Sequence, residues 1–377
     1  DVPLFDHHLQ GARSATGLLA LSEVAKGKVE VTAEDGSVQV LETRNIVIAT
    51  GAKPHPLPGN PFAGALIDST QALEVNEFPS SAVIIGAGAI ALEFASMWNA
   101  AGSKVTLLIR KDRVLSAWDR RAGTTLTREL KRHGVNIITR ASVTHVDTGA
   151  NLGATVHYTR EGQDGEQSVW GEIALVAIGR DPITDPAWGV TIDDHGHVAT
   201  DAYGRTDKPG VWAVGDVTAG HALAHRAFEQ GIVIAETIAG LNPKPVDEAT
   251  VPQIVFSFPE AASVGLTVEQ AQAREDLIEI KETNYPMLAN ARMLMSGTAG
   301  SLTIVSGCDA ANPDTPRVLG VHMVSQMASD IIAEAEQLVG NHVPLADAAR
   351  LVHPHPTFSE TLGEALLKAD GRPLHTR

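Results

Sequence analysis

Apolar residues run unbroken through Val83-Ile84-Ile85, break at Gly86-Ala87-Gly88, and return in a helical pattern through Phe94, Met97 and Trp98. A short apolar run, a glycine turn and a helical period predict strand, tight turn and helix. Gly102 is placed to close that helix, and Lys104-Val105-Thr106-Leu107-Leu108-Ile109 supplies the second strand of a βαβ unit.

The same patterning organises the rest of the chain. Lys28 to Leu41 alternates on both sides of Glu34-Asp35-Gly36, which predicts a β-hairpin. Asn45 to Gly51 reads as a buried strand ending in glycine, and Pro54, Pro56 and Pro58 stiffen a domain crossing. Ser69 is placed to cap a short helix through Leu73. Asp119 is placed to cap a helix through Leu126 and Leu130 that stops at Gly134. Segments 141–148 and 154–160 alternate as strands, Ala174 to Ile178 is a buried strand, and Val211 to Val214 repeats the strand-then-glycine form before Asp216. A helix rich in Ala and Ile follows to Gly240. Beyond Pro245, strands near 254–258, 277–282, 301–305 and 318–324 interleave with helices near 267–274 and 328–339, the order of an α+β domain.

These elements predict an α/β chain: a proline-marked crossing after Gly51, a nucleotide-binding unit that begins near residue 78 and closes near Arg180, and a separate domain beyond Pro245. The glycine turn carries the candidate chemistry. Gly86 permits the turn, Gly88 lets backbone approach a pyrophosphate at a helix N-terminus, and the small Ala91 lets helix pack on strand. An ordinary strand-to-helix turn is the competing reading, and the surrounding βαβ unit favours the dinucleotide. About twenty positions past the glycines an acidic residue would hold a ribose 2′-hydroxyl. This chain has Ile109 there, then Arg110, Lys111 and Arg113. Guanidinium groups suit a 2′-phosphate, which points to NADP, with a solvated basic loop as the alternative.

At the other end, Leu351-Val352-His353-Pro354-His355-Pro356-Thr357-Phe358-Ser359-Glu360 puts an imidazole five residues before a carboxylate. Held by Glu360 through one ring nitrogen, His355 would be a general base through the other. Thr357 to Glu360 equally fits a capping box that leaves Glu360 on backbone amides. Spacing does not choose between these.

Composition narrows the class. The chain has 45 acidic against 29 basic side chains and a formal charge of -16, which argues against a nucleic-acid surface. No apolar run reaches membrane-spanning length, and a cytoplasmic protein is expected. Cys308, the single cysteine, lies in a polar stretch with Gly307, Asn312, Pro313 and Pro316 nearby and is expected in a surface loop. No multi-cysteine metal site exists.

Taken together, Ala49-Thr50-Gly51, the Gly86–Glu93 turn, Ala177-Ile178-Gly179-Arg180, Val214-Gly215-Asp216, Leu223-Ala224-His225 and the His353–Glu360 segment resemble the flavin-dependent pyridine nucleotide-disulfide oxidoreductases, and among them the dihydrolipoyl dehydrogenases. The resemblance implies a partial FAD-binding domain at 1–77, an inserted NAD(P)-binding domain at 78–181, the FAD-binding domain continued at 182–248, and a dimerisation domain at 249–377. It implies that Thr50, Gly51, Ala52, Asp216, Ala222, Leu223, Ala224 and His225 line FAD. Glu93 would lie by the nicotinamide, with Val143 and Gly179 also among the cofactor-binding residues. His355 and Glu360 would serve the site of a homodimer partner, taking a proton from dihydrolipoamide, free or on a lipoyl domain of a 2-oxoacid dehydrogenase complex.

The family's N-terminal FAD glycine turn and redox-active cysteine pair are absent from these residues, so truncation is expected, and with it an inactive chain that binds FAD weakly or not at all. An NADPH-dependent disulfide reductase of the glutathione reductase kind, or a quinone reductase, is the enzymatic alternative. A non-catalytic, nucleotide-binding and dimerising remnant is the other.

Overall fold

The computed structural model describes residues 27–32, 36–149 and 153–376; the turn expected at Glu34 and Asp35 lies outside them. The chain divides into two compact units. One is drawn from residues up to Lys53 and from Asp181–Val246, the other from Pro54–Arg180 and Asp247–Arg377.

In the first unit, Ile46–Ile48 pairs in parallel with Val211–Ala213, and Lys28–Thr32 pairs antiparallel with Val38–Glu42. Ile46, Ile48, Trp188, Val190, Val198, Val211, Ala213 and Val217 make its core. The segment expected to be wholly buried instead alternates: Val47 is 45% exposed between buried Ile46 and Ile48, although its register partner Trp212 is buried. Gly215–Val217 forms a single 3-10 turn, and the helix Ala224–Ile238 follows.

The second unit is built on a five-stranded parallel sheet in the order Leu66–Ile67, Ile173–Val176, Ser81–Ile85, Lys104–Leu108, Asn136–Ile138. The cut after Lys53 keeps Leu66–Ile67 with the glycine turn, since that strand pairs with Ile173–Val176. The helix Ala89–Ala100 lays Leu92 and Trp98, both fully buried, on the sheet. Burying one such side chain contributes about 1.5 to 3 kcal/mol. Gly102 and Gly134 follow the helices Ala89–Ala100 and Arg120–Arg132 at φ +96° and +103°, a region costly for any residue with a Cβ. Asp119 caps the second of these, Oδ1 accepting from the Ala122 amide at 2.8 Å. Asp68, not Ser69, caps the short helix Ser69–Leu73, in a capping box with Gln71. The expectation missed by one position because both residues are good caps. The expected strand through Ile178 ends at Val176, and Ile178 is 40% exposed.

Two antiparallel sheets complete this unit. Ala141–Asp147, Ala154–Arg160 and Gln167–Gly171 form a meander with Ala154–Arg160 central. Gln253–Val255, Glu260–Gly265, Asn312–Ser325, Ser301–Asp309 and Leu277–Pro286 form the second, in that order. Val255, Ala261 and Val324 of this sheet share a core with Ile84, Leu92 and Leu107. Its main cluster packs Tyr285, Leu302, Ile304 and Met323 with Ile332 and Leu338 of the helix Ala328–Gly340 and with Leu362 and Leu366 of the helix Glu360–Ala369.

Cys308 contradicts its expected place in a surface loop. It lies fully buried in Ser301–Asp309, opposite Ile278, and burial pushes its thiol up, away from thiolate chemistry. Gly307, which suggested a loop, lies in the same strand, and Asn312 and Pro313 open the facing strand. Among the described residues no helix is long and apolar enough to cross a membrane.

Candidate functional site

Strand Ser81–Ile85 ends at Gly86, whose φ of +143° and closeness to the Ala177 carbonyl leave no room for a Cβ. Ala91, fully buried, sits 3.4 Å from where that Cβ would be, so helix and turn touch through the smallest side chains. Gly88 is the N-cap of Ala89–Ala100, provides no side-chain cap, and has nothing within 4 Å of its missing Cβ. A twelve-residue helix whose first amides lack a side-chain cap, behind an open glycine, fits a dinucleotide pyrophosphate.

The residues beyond the second strand part company. Ile109 is buried in the core rather than turned to a ligand, while Arg110 and Lys111 are exposed. Arg113, expected to bind phosphate, is turned inward. Its Nη2 donates to the Ser116 carbonyl at 3.1 Å, its Nη1 pairs with Asp112 at 3.2 Å, and its Nε is buried, so packing has claimed this guanidinium. Glu93 accepts the Phe256 amide at 3.0 Å through Oε1, tying the helix to the C-terminal domain. Val143 is half-buried opposite Tyr158. Gly179 has φ +149° and accepts the His55 amide at 3.0 Å.

In the first unit, Thr50 donates through Oγ1 to the Ile183 carbonyl at 2.7 Å, and Gly51, at φ +70°, accepts the Ile183 amide at 2.9 Å. Ala52 and Asp216 are half-buried, and Gly215 is held by Gln230 Oε1 at 3.0 Å. Ala222, Ala224 and His225 are exposed around half-buried Leu223, the N-cap of Ala224–Ile238, which also lacks a side-chain cap. A short acidic turn beside an open helix start fits the polyol end of a flavin. The pyrophosphate turn has no counterpart among the described residues of this unit.

At the C-terminal end the competing readings separate. Thr357 Oγ1 accepts the Glu360 amide at 3.3 Å, which is one half of the capping box, while Ser359, the N-cap of Glu360–Ala369, makes no side-chain cap bond. The Glu360 carboxylate instead meets His355 Nδ1 at 2.8 Å and accepts from Asn290 Nδ2 at 2.9 Å. The carboxylate is 15% exposed and the imidazole 71%, so the carboxylate is the fixed member of the pair. Burial, helped by the Glu364 and Glu360 carboxylates, pushes neighbouring Tyr285 up to about 12, leaving it a neutral wall. The pair can orient an imidazole and present its Nε2 outward.

Comparison with known proteins gives the family. Residues 12–231 match the family model described as pyridine nucleotide-disulphide oxidoreductase, and 251–366 match that family's dimerisation domain. The chain belongs to the pyridine nucleotide-disulphide oxidoreductase family. The dihydrolipoyl dehydrogenase of Cupriavidus necator is 37% identical over 347 residues, 90% of this chain and 71% of that protein. Dihydrolipoyl dehydrogenase 3 of Pseudomonas aeruginosa is 37% identical over 93% of this chain and 74% of its own length. Among solved structures, LpdA of Mycobacterium tuberculosis superposes with a TM-score of 0.79 at 27% identity, covering 91% of this chain and 73% of its own.

Family membership makes the chain an α/β oxidoreductase with FAD- and pyridine-nucleotide-binding and dimerisation regions. Sequence reasoning missed Asn290, whose 3% exposed amide holds both Glu360 and the Thr357 carbonyl. It lies 70 residues from Glu360, and no local pattern marks it.

Proposed function

We propose that this chain forms the nicotinamide-binding, dimerising and acid/base part of a homodimeric, cytoplasmic dihydrolipoyl dehydrogenase, which carries electrons from dihydrolipoamide through a disulfide and FAD to NAD(P)+. The observation that carries it is the His355–Glu360 pair: a general base held through Nδ1 by a carboxylate that Asn290 anchors, with Nε2 free. Glu360 fixes the tautomer and stabilises the imidazolium once His355 has taken a thiol proton. Exposure of the imidazole at 71% supports a base that works in a partner subunit's site.

FAD, when bound, supplies the two-electron chemistry. Thr50 to Ala52, Asp216 and Ala222 to His225 would hold its polyol end, and Gly86, Gly88 and Ala91 would seat the nicotinamide nucleotide, with Glu93, Val143 and Gly179 around it. The test joins this chain to the family's N-terminal segment, with its glycine turn and cysteine pair, and assays dihydrolipoamide against NAD+ and NADP+. Oxidation with neither acceptor, in a protein of full flavin content, overturns the reading.

Between the acceptors we favour NADP. Arg110 and Lys111 stand exposed after a buried Ile109, and no carboxylate waits for a ribose hydroxyl at that position. A charge-assisted contact contributes about 1.5 to 3 kcal/mol, which means a preference of tenfold or more. Arg110→Ala should lower kcat/KM for NADP+ by about tenfold and leave NAD+ nearly unchanged. Equal loss with both acceptors would mean that Arg110 makes no contact with the 2′-phosphate.

A further inference from the structure

The small antiparallel sheet carries a side-chain cluster that the flavoenzyme chemistry does not use. His145 on Ala141–Asp147 and His157 on Ala154–Arg160 are register partners, and their rings stack with centroids 4.1 Å apart and planes 8° off parallel. Asp147, two residues on from His145, points to the same face of its strand. Its Oδ2 lies 3.1 Å from His157 Nε2 and 3.9 Å from His145 Nε2. One ligand atom from each of the three lies within 4.8 Å of the others, and no other such group occurs among the described residues.

We propose that His145, His157 and Asp147 bind one divalent transition-metal ion of the class that favours imidazole, Zn(II) among them. Two neutral imidazoles and one carboxylate suit such an ion and are poor partners for Mg(II) or Ca(II). Bonds of about 2.0 to 2.1 Å hold tetrahedral ligand atoms about 3.3 Å apart. The Asp147–His157 pair is already near that spacing, and His145 Nε2, 3.9 Å from the same carboxylate oxygen, stands a little outside it on a half-exposed side chain. Water would fill the remaining positions.

The opposite ring edges separate this cluster from a chance meeting of surface groups. Glu166 sets Oε1 3.8 Å from His145 Nδ1 and Oε2 3.6 Å from His157 Nδ1. Thr144 Oγ1 donates to Glu166 Oε1 at 2.7 Å and holds that carboxylate in place. An imidazole that ligates a metal through Nε2 usually gives its Nδ1 proton to a carboxylate, which orients the ring and raises its basicity. Glu166 stands just beyond hydrogen-bond length of both rings, and a small shift of its side chain would let it do this.

Calorimetric titration of the chain with Zn(II) near neutral pH tests the site. The unaltered protein should take up one equivalent that millimolar Mg(II) does not displace. His145→Ala and His157→Ala should each weaken that equivalent at least tenfold, and Glu166→Gln by a smaller factor, while His355→Ala should leave it unchanged. Asp147→Asn, at a side chain 66% exposed, should weaken the same equivalent at least tenfold while leaving the thermal midpoint nearly unchanged. An isotherm that is the same in the unaltered protein, in Asp147→Asn and in the double histidine variant would overturn the proposal. So would loss of the equivalent in His355→Ala alone.

Discussion

His353 and His355 stand two residues apart, each followed by proline and each bonded to a glutamate, and the fold sends them to opposite fates. His353 Nε2 meets Glu334 on the helix Ala328–Gly340 at 2.9 Å, its side chain is 9% exposed, and its ring fills the space a Cβ on Gly363 would need. His355 meets Glu360 at 2.8 Å and is 71% exposed. A carboxylate partner therefore does not by itself mark a functional imidazole. What separates the two is the free nitrogen. His353 is enclosed by the domain's own helices, whereas His355 keeps Nε2 open to a reactant.

The sharpest way to break this comparison is to exchange the consequences. In the flavin-loaded enzyme His355→Gln should lower dihydrolipoamide oxidation by about 10²- to 10⁴-fold, the range of a general base, and leave the folding stability within about 0.5 kcal/mol. Glu360→Gln should cost part of that factor, because an amide can still hold the ring but no longer stabilises its cation. Steady-state turnover together with urea denaturation separates the two effects. If His355→Gln kept full turnover, the exposed pair would be as structural as the buried one.

The opposite behaviour is expected at Glu334→Gln. A hydrogen bond to a charged group contributes about 1.5 to 3 kcal/mol, and Glu334 is 34% exposed, so a loss of about 1 to 2 kcal/mol is expected, with turnover nearly unchanged. Denaturation midpoints at constant m would measure it. A variant as stable as the parent would show that the pair only fills space.

Spacing brings His355 and Glu360 within reach of each other across five residues and a helix start, but leaves a capping box equally open; the side-chain partners of Glu360 decide between them. The His353–Glu334 pair spans 19 residues and two elements, and the Asn290 anchor spans 70, so neither leaves a mark in the local pattern. The same rule explains the rest of the molecule. The glycine turn was legible because Gly86, Gly88 and Ala91 act within one strand-turn-helix. Arg113 was misread because its fate depends on the Ser116 carbonyl and on Gly123, whose missing side chain leaves room for the guanidinium stem. Cys308 was misread because its cover is the strand Leu277–Pro286, which no window around residue 308 contains.

The smallest effect is one of pH, and its sign distinguishes His353 from another buried imidazole. The Glu334 hydrogen bond raises the pKa of His353 against an opposing cost of burial, so the folded state holds that proton more tightly than the unfolded chain. Its contribution is fully present below about pH 6.5 and is lost as pH rises through the folded-state value. His322 has the reverse sign. Wholly buried, with Ser263 Oγ 2.7 Å from Nδ1 and the Leu266 carbonyl 3.1 Å from Nε2, it is held neutral, and burial lowers its pKa. Its contribution is present above about pH 6.5 and is lost as pH falls. The stability difference between the parent and Glu334→Gln should therefore be largest near pH 6 and shrink at higher pH, because His322 is common to both proteins and cancels. Denaturation of both at a series of pH values measures this directly. A difference that grows with pH would mean that Glu334 acts on some group other than the imidazolium of His353.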